Sequence, residues 1–447
     1  MSVVDESGVD FKHVSIGPVS VKIPGDWDLI SLEDVAENSG EYGANAPAQP
    51  FDADEFRYIR ITDLTEDGKL KNCTKQSIPI EGNEKYELQN GDLLFARTGA
   101  VGRSYLYSES VSEVRCAFAG YLIRYKLTGN IDSEYLRQYT NSEYFNKWVS
   151  SVSRSTTHAN INASEYSSVD IPYPPLTEQR RIAEILSTVD ELIQQTDAII
   201  EAKQHLTQGF INVLVKTGVQ DSPDTNKVQI GPKQVKIPTN WDLLRVDELV
   251  TDDDDAIRTG PFGSKLKKEY FVSEGVKVYE QSNVYNKDFT QGNRFVTQDR
   301  YESELTSYDA NPGDVLITLQ GTIGDAAVLP DNAEPGVINQ KLMRVQVDSE
   351  LCLPEYFATF FDESRLADFQ IEAVSHGAVV SGLNISTISG IRVPIPSLQE
   401  QQRIIDVVES SKSSLDEEQE TKQNLQELKR GLMQDLLTGE VRVPVET

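Results

Sequence analysis

Two stretches of this chain carry apolar residues at helical spacing for far longer than a globular helix requires. In the first, Ile182, Leu186, Val189, Ile193, then Ile199/Ile200, Leu206, Phe210 and Leu214 recur at close to a 3-4 interval, interrupted by Thr196 and Lys203. In the second, Ile404, Val408, Ser411, Leu415, Glu418, Lys422, Leu425, Leu428, Leu432 and Leu436 keep that interval, with a polar middle. Such a stripe is what a helix presents to one partner helix. Pro174-Pro175 closes the element before the first stripe, and Thr177 is placed to cap the helix that follows. Each stripe predicts about 40 helical residues, roughly 60 Å of rod. An antiparallel pair within the chain satisfies both stripes and leaves globular domains at opposite ends of the rod.

The blocks outside the stripes have a different rhythm. From 21 to 173, short alternating runs such as RYIRITDL (57–64) and AGYLIRYKL (119–127) are separated by the turn signals Asp67-Gly68, Asn90-Gly91 and Thr98-Gly99. One helix is predicted over 133–152, with Ser133 as its cap. Strand runs with little βαβ alternation make the class α+β. The expected order is an N-terminal tail (1–20), a first domain (21–173), a spacer helix (176–218) and a polar linker (219–233). A second domain (235–395), a second spacer helix (397–439) and a C-terminal tail (440–447) follow.

That order is a duplication. HVSIGPVSVKIP (13–24) leads to Trp27, and KVQIGPKQVKIP (227–238) leads to Trp241. NGDLLFARTGAVG (90–102) matches PGDVLITLQGTIG (312–324), carrying Asp92 to Asp314, Gly99 to Gly321 and Gly102 to Gly324. The same offset carries Glu178 to Glu400 and Arg181 to Arg403, and the two helices end at Thr217-Gly218 and Thr438-Gly439. A period of about 220 residues is too long for a solenoid unit. Two related modules about a pseudo-two-fold axis can read two half-targets or hold two copies of one partner. The frame repeats closely while the interiors differ, 258–284 having no close counterpart in 38–64. Either idle surfaces have drifted, or the modules recognise different targets.

Composition narrows the class. With 447 residues, 38% hydrophobic and 8% aromatic, the chain can bury two or three cores. Cys73, Cys116 and Cys352 stand apart with no CxxC, which fits a reducing, cytoplasmic setting and no structural zinc. The first residues lack the basic and apolar regions of a signal peptide, and no apolar run is long enough to span a membrane. The net charge of −29 opposes phosphate binding. It is compatible with a protein that never meets DNA. The favoured reading is the acidic surface of a halophile-like proteome, because at molar salt a Debye length of roughly 3 Å screens the repulsion. Basic residues do concentrate at Arg57 and Arg60 and at Lys265–Lys268 beside Arg258.

The motifs resemble those of the specificity (S) subunit of type I restriction-modification systems. They are IPYPPLTEQRRIAEIL (171–186) with VPIPSLQEQQRIIDVV (393–408), TGPFGSKL (259–266), the NGD and PGD turns, and LLTGEVRV (436–443). Singly each is weak, but in this order they cover nearly the whole length. The resemblance implies two target-recognition domains separated by two antiparallel spacer helices, each domain reading half of a bipartite, asymmetric double-stranded DNA site. It implies docking of two methyltransferase (M) subunits, which bind S-adenosylmethionine and methylate adenine at N6. Motor-nuclease (R) subunits using ATP and Mg2+ would complete the complex. This chain would carry no cofactor and no catalysis.

Several residues are candidates for DNA contact. Arg97, Thr98 and Arg103 flank the glycine turn at Gly99 and Gly102, where backbone N–H groups and arginines can meet phosphates or guanine edges; an ordinary hairpin is the alternative. The second copy carries Gln320 and Thr322 there. Arg258, Thr259, Ser264, Lys265, Lys267 and Lys268 form the densest basic patch, suited to phosphates unless it is a solvated face. Tyr279, Gln281 and Asn283 lie on an alternating run, and both amides can bond adenine. Arg154, Ser155, Thr156, Thr157, His158 and Asn160, with His376 in SHGAVVSGLN (375–384), sit in polar loops that either approach DNA or cap their domains. Glu178, Gln179, Arg181, Glu400, Gln401 and Arg403 open the long helices, where a first-turn Glu suits the helix dipole; the resemblance makes them assembly-frame residues.

Catalytic signatures are missing. His13, His158, His205 and His376 are scattered, and HExxH, Walker, serine-elbow and adenine-methylation motifs do not occur. The Asp252–Asp255 run fits a solvated acidic loop better than a metal site. Three rivals remain: a reader for methylation alone or another defence complex, a protein-interaction scaffold without DNA, and an enzyme in its own right.

Overall fold

The computed structural model describes residues 3–4, 10–71, 75–153, 159–219, 224–231, 233–262, 265–375 and 383–444. The chain divides into two units, Met1–Asp197 with Glu420–Thr447, and Ala198–Gln419. Each unit therefore owns the first half of one long helix and the second half of the other. The helices run over Leu176–Thr217 and Leu398–Thr438.

The class is α+β, and the two units share one topology. In the first, an antiparallel sheet has the order Ser104–Leu106, Leu93–Ala96, Leu122–Tyr125, Glu41–Tyr42. A second sheet pairs Cys116–Phe118 in parallel with Phe56–Ile59, and Gln76–Ile78 continues it. In the second unit, Ala326–Val328, Val315–Thr318, Leu342–Val345 and Ile257–Thr259 repeat the antiparallel sheet. There Gly336–Ile338 runs parallel to Val276–Tyr279.

The central strands are buried on both faces, which is why they lack a clean polar alternation. Leu93 and Phe95 pack against helical residues such as Tyr135, Phe145 and Tyr166, whereas Leu94 and Ala96 pack against Ile59, Cys116 and Phe118 of the other sheet. Val315 and Ile317 on one face, and Leu316 on the other, divide the second unit in the same way. The NGD and PGD turns are structural. Gly91 and Gly313 take positive φ, and the Asp92 and Asp314 carboxylates accept the backbone N–H of Gln89 and Asn311. Burial pushes both carboxyls up.

Three expectations need correction. The helix over 133–152 is two helices, Ser133–Thr140 and Glu143–Val152, capped by Asp132 and Ser142 instead of Ser133. Both side chains accept N–H groups of a first turn, and Ser142 starts a new helix inside a run that is apolar enough to look continuous. The segments taken as tail and linker contain matching hairpins, Asp10–Ile16 with Val19–Pro24 and Thr225–Ile230 with Lys233–Pro238. Their polar residues face out while Ile16, Val21, Ile23, Ile230 and Ile237 are buried. The first long helix begins one residue before the expected cap Thr177, with the Pro175 carbonyl accepting from Glu178 and Gln179.

In each unit the helix segments pair antiparallel. In the first, Ile182 and Leu186 share a core with Leu436 and Leu437, Asp190 bonds Lys429, and Asp197 bonds Lys422. In the second, Lys203 meets Ser414 and Glu418, and Ile211 and Val215 share a core with Ile404 and Val408. Two polar interruptions of the stripes, Lys203 and Glu418, thus answer one another, whereas Ile199, Leu206 and Phe210, expected in the seam, are exposed. Lys203 Nζ lies 2.8 Å from Ser414 Oγ and 2.9 Å from Glu418 Oε1. Asp190 takes 2.6 Å from Lys429, 2.9 Å from Arg137 and 2.8 Å from Gln138, tying the seam to the globular helix.

Burial would raise the Asp190 carboxyl, but its bonds from Lys429, Gln138 and Arg137 outweigh it and hold the group below the ordinary range. A depressed carboxyl stabilises the fold above its unfolded pKa, near 4, and loses that contribution as pH falls through the folded value. Asp190→Asn therefore costs about 2 kcal/mol at neutral pH, the lower side for a broken buried pair. In urea titrations its difference from the parent should shrink below about pH 4. Glu184→Ala, which removes the exposed Arg181 pair, should leave the midpoint unchanged.

Candidate nucleic-acid interface

The frame residues form two equivalent junctions. Trp27 Nε1 donates to Glu178 at 3.1 Å, and Trp241 Nε1 donates to Glu400 at 3.2 Å. Gln179 accepts from Asp132 N–H and donates to the Pro174 carbonyl. Gln401 accepts from Leu353 N–H and donates to the Pro396 and Leu351 carbonyls. These four helix residues are buried. Arg181 and Arg403 point to solvent. The junctions differ in how the buried carboxylate is held. Arg442 gives Glu178 two bonds, of 2.7 and 3.0 Å, and also holds Asp26, whereas Glu400 Oε1 has no partner among the described residues.

Three loops converge at one end of the antiparallel sheet in the first unit. The segment leaving Glu41–Tyr42 bends at Gly43, where a Cβ would collide with the Phe118 and Ala119 carbonyls. The turn at Ala119–Tyr121 lies beside it, with Gly120 N–H donating to the Ala44 carbonyl at 2.7 Å. The glycine turn comes third, because Arg97 N–H donates to the Tyr121 carbonyl at 3.0 Å. Arg97 packs its guanidinium 4.8 Å from the Tyr42 ring and bonds Asn160 Oδ1 at 3.3 Å. Thr98 pairs with Asn160 through the backbone. Two candidate sites that are far apart in sequence thus become one, a partly exposed arginine between an exposed tyrosine and an exposed asparagine.

The second unit repeats the geometry with other side chains. Gly260 approaches the Asn339 carbonyl as Gly43 approaches its counterpart. Leu319 N–H donates to the Lys341 carbonyl at 2.9 Å, the equivalent of the Arg97–Tyr121 bond. Gln281 and Tyr285 both donate to the Gln320 carbonyl, at 2.8 and 3.1 Å, bracing the glycine turn. Thr318 Oγ1 donates to the Thr322 carbonyl. Nearby, Arg258 and Lys265 lie 5.0 and 5.2 Å from the Tyr308 ring. Arg300, which sequence patterning did not single out, bonds the Lys265 carbonyl and sits 3.5 Å from the Tyr270 ring. Lys265, Lys267 and Lys268 are exposed, while Arg258 is tethered to Asp255 at 2.6 Å and Lys267 lies 3.5 Å from Glu269.

Some candidates turn inward. Arg57 is buried and spends its guanidinium on the Lys71 carbonyl, because its strand is covered on both faces. Arg60 is bonded to Asp63 and Gln76, and that carboxylate holds its guanidinium charged. Arg103 donates to the Leu64 carbonyl. Tyr279 is buried at a strand end, and Asn283 is buried in a short helix, closing the following loop through the Asp288 and Gln291 carbonyls. The alternating run expected to face the groove is thus a strand passing into a helix. Arg154, Thr156, His158, Ser264 and His376 lie outside the described residues. Sequence reasoning overlooked Tyr42, Tyr121, Phe262, Tyr285 and Lys341 at the converging loops; large rings at polar strand ends were the available signal.

A family model described as type I restriction modification DNA specificity domain matches residues 24–202 and 259–429. The chain is 26% identical to the putative type I restriction enzyme MjaX specificity subunit of Methanocaldococcus jannaschii, over 97% of each chain. It is 25% identical to the type I restriction enzyme EcoKI specificity subunit of Escherichia coli K12, over 66% of this chain and 61% of that one. Among solved structures, the type I restriction-modification S subunit of M. genitalium aligns with TM-score 0.50 and 14% identity, covering 94% and 97% of the two chains. A chain from a structural study of type I R-M complex assembly and conformational transition aligns with TM-score 0.59 and 16% identity, covering 94% and 99%.

The unequal junctions make a prediction. Trp27→Phe leaves Glu178 its two bonds from Arg442, whereas Trp241→Phe strips the only described partner from buried Glu400. The second substitution should cost about 1–3 kcal/mol more than the first in chemical denaturation. Adding Arg442→Ala to Trp27→Phe should close the gap.

Proposed function

This chain belongs to the type I restriction-modification DNA specificity family, and we propose that its two loop clusters read the two halves of an asymmetric, bipartite DNA target. It is the DNA specificity subunit of a type I restriction-modification complex and is not itself catalytic. The observation that carries the finer reading is the repetition of one loop geometry on two units with different side chains. Arg97 and Thr98 stand where the other copy has Leu319 and Gln320, and the basic residues around Lys265 follow Gly260 in a stretch that carries none after Gly43. Equal backbones with unequal side chains suit two different half-sites, since phosphate contacts position and base contacts specify.

The long helices would hold the partners. Ile199, Leu206, Phe210 and Val213 are exposed on one helix segment of the second unit, an apolar row that a soluble rod has no reason to keep. We assign it to a methyltransferase subunit, with two such subunits per complex. S-adenosylmethionine would be held there, and ATP and Mg2+ in a motor-nuclease subunit. Recognition domains over 21–173 and 235–395 and spacer helices over 176–218 and 397–439 are the corresponding division of labour. Reaching adenine N6 would require the methyltransferase to flip the base from the duplex.

Co-expression with the methyltransferase subunit of the same operon, followed by single-molecule sequencing for modified adenines, tests this reading. A bipartite motif with a fixed gap, lost when this chain is omitted, is expected. Exchanging residues 21–173 should change one half alone. A motif independent of this chain would favour a protein scaffold without DNA, the reading that the net charge of −29 suggests. Leu206→Glu with Phe210→Glu should abolish co-purification with the methyltransferase while leaving the chain folded.

A further inference from the structure

Among the described residues, the two most exposed large apolar side chains are Phe262, at 70%, and Tyr121, at 64%. Scattered apolar residues on a surface are ordinary. These two are not scattered, because both occur in the converging loops at the equivalent end of their units. They are also not each other's counterparts. Tyr121 sits on the turn before Leu122–Tyr125, and the same place before Leu342–Val345 is Lys341. Phe262 lies two residues beyond Gly260, and the same place beyond Gly43 is Asn45. At these matched positions each unit carries one ring and one polar side chain, exchanged between the lips, and Tyr42, beside Gly43, adds a second, less exposed ring to the first unit. Inheritance of one ring from a common ancestor would place it on the same lip twice, so this arrangement points to the same need met separately.

The setting limits what the rings can touch. The backbone beside them is closely packed, since a Cβ at Gly43 or Gly260 would meet a carbonyl and one at Gly120 would meet the Asn45 amide. Cationic groups stand near each cluster, Arg97 in the first unit and Lys265 with Arg300 in the second. A ring bonds no phosphate. Beside cations that do, it gains free energy from apolar base surface, either a base face or a thymine methyl.

Resting on the recognition reading above, we propose that Tyr121 and Phe262 are base-contacting aromatic anchors, one for each half of the target. Each ring packs on base surface in its own half-site while the neighbouring cation takes a phosphate. The two halves are thus gripped from opposite lips, which contributes to the target's asymmetry.

The test uses the full complex with its methyltransferase partners and duplexes carrying the sequenced target, with affinity followed by fluorescence anisotropy across a salt series. Tyr121→Ala and Phe262→Ala should each weaken target binding about tenfold or more. The slope of log affinity against log salt should stay the same, because no phosphate contact is lost. Lys265→Ala should instead lower the slope by about one. Tyr121→Phe should bind as the parent does. Modified-adenine sequencing should show each alanine variant relaxing the motif in one half only, a different half for each. Replacing thymine by deoxyuridine in that half separates the two base surfaces: a loss matching the alanine variant identifies the methyl, and no loss identifies the base face. Alanine variants with parental affinity and motif, or losses that follow the salt slope, overturn the proposal. A parent complex that binds no duplex overturns the recognition reading itself.

Discussion

A carboxylate buried in the first turn of each long helix joins the helical frame to the globular fold. Glu178 and Glu400 accept the indole N–H of Trp27 and Trp241, residues that follow the edge hairpin of their own unit. The next residue, Gln179 or Gln401, uses its amide on both sides, accepting an N–H that precedes a globular helix and donating to a carbonyl just before the long one. Polar groups this deeply buried cost free energy unless each is bonded, so the bonds enforce one helix direction relative to the sheet. Everything that depends on aiming a loop depends on that direction.

The seam between the helices obeys the same economy at larger scale. A purely apolar stripe would tolerate sliding by a turn. Asp190 with Lys429 and Arg137, and Lys203 with Ser414 and Glu418, each find partners at only one register. Polar residues in a helical seam are the usual means of specifying alignment at some cost in stability.

The loops follow the opposite rule. The backbone that shapes them is repeated almost step for step, through the paired Arg97–Tyr121 and Leu319–Lys341 bonds and the crowded glycines Gly43 and Gly260. The side chains carried on it are not repeated. A fixed scaffold with variable tips suits the proposed reading of two half-sites, because base discrimination is a matter of which donors, acceptors and rings are offered, not of how the strands beneath are connected.

The frame was legible from the chain alone because its determinants are local and periodic. A stripe of apolar residues at helical spacing predicts a partnered helix, although Ile199, Leu206, Phe210 and Leu428 face outward, and a motif written twice announces a duplicated fold. The paired tryptophans, the Glu-Gln steps and the NGD and PGD turns could all be placed by alignment within the chain, although what Trp27 and Trp241 touch could not. The candidate DNA contacts were harder to place, because exposure is not a property of sequence. Arg57 and Arg97 look alike in a string of letters. One is buried under a sheet that arrives from residues 116–118, and the other is brought beside Asn160 by a connection of more than sixty residues. Likewise Tyr121 joins the loop cluster of its unit, and Phe262 that of its own, only because strand pairing brings Gly43 and Gly260 against turns made much later in the chain. Sequence determined the duplication, the helices and the family, since these rest on patterns between near neighbours. Tertiary structure alone decided which cations and rings share a face, since that rests on long-range pairings whose geometry no local pattern encodes.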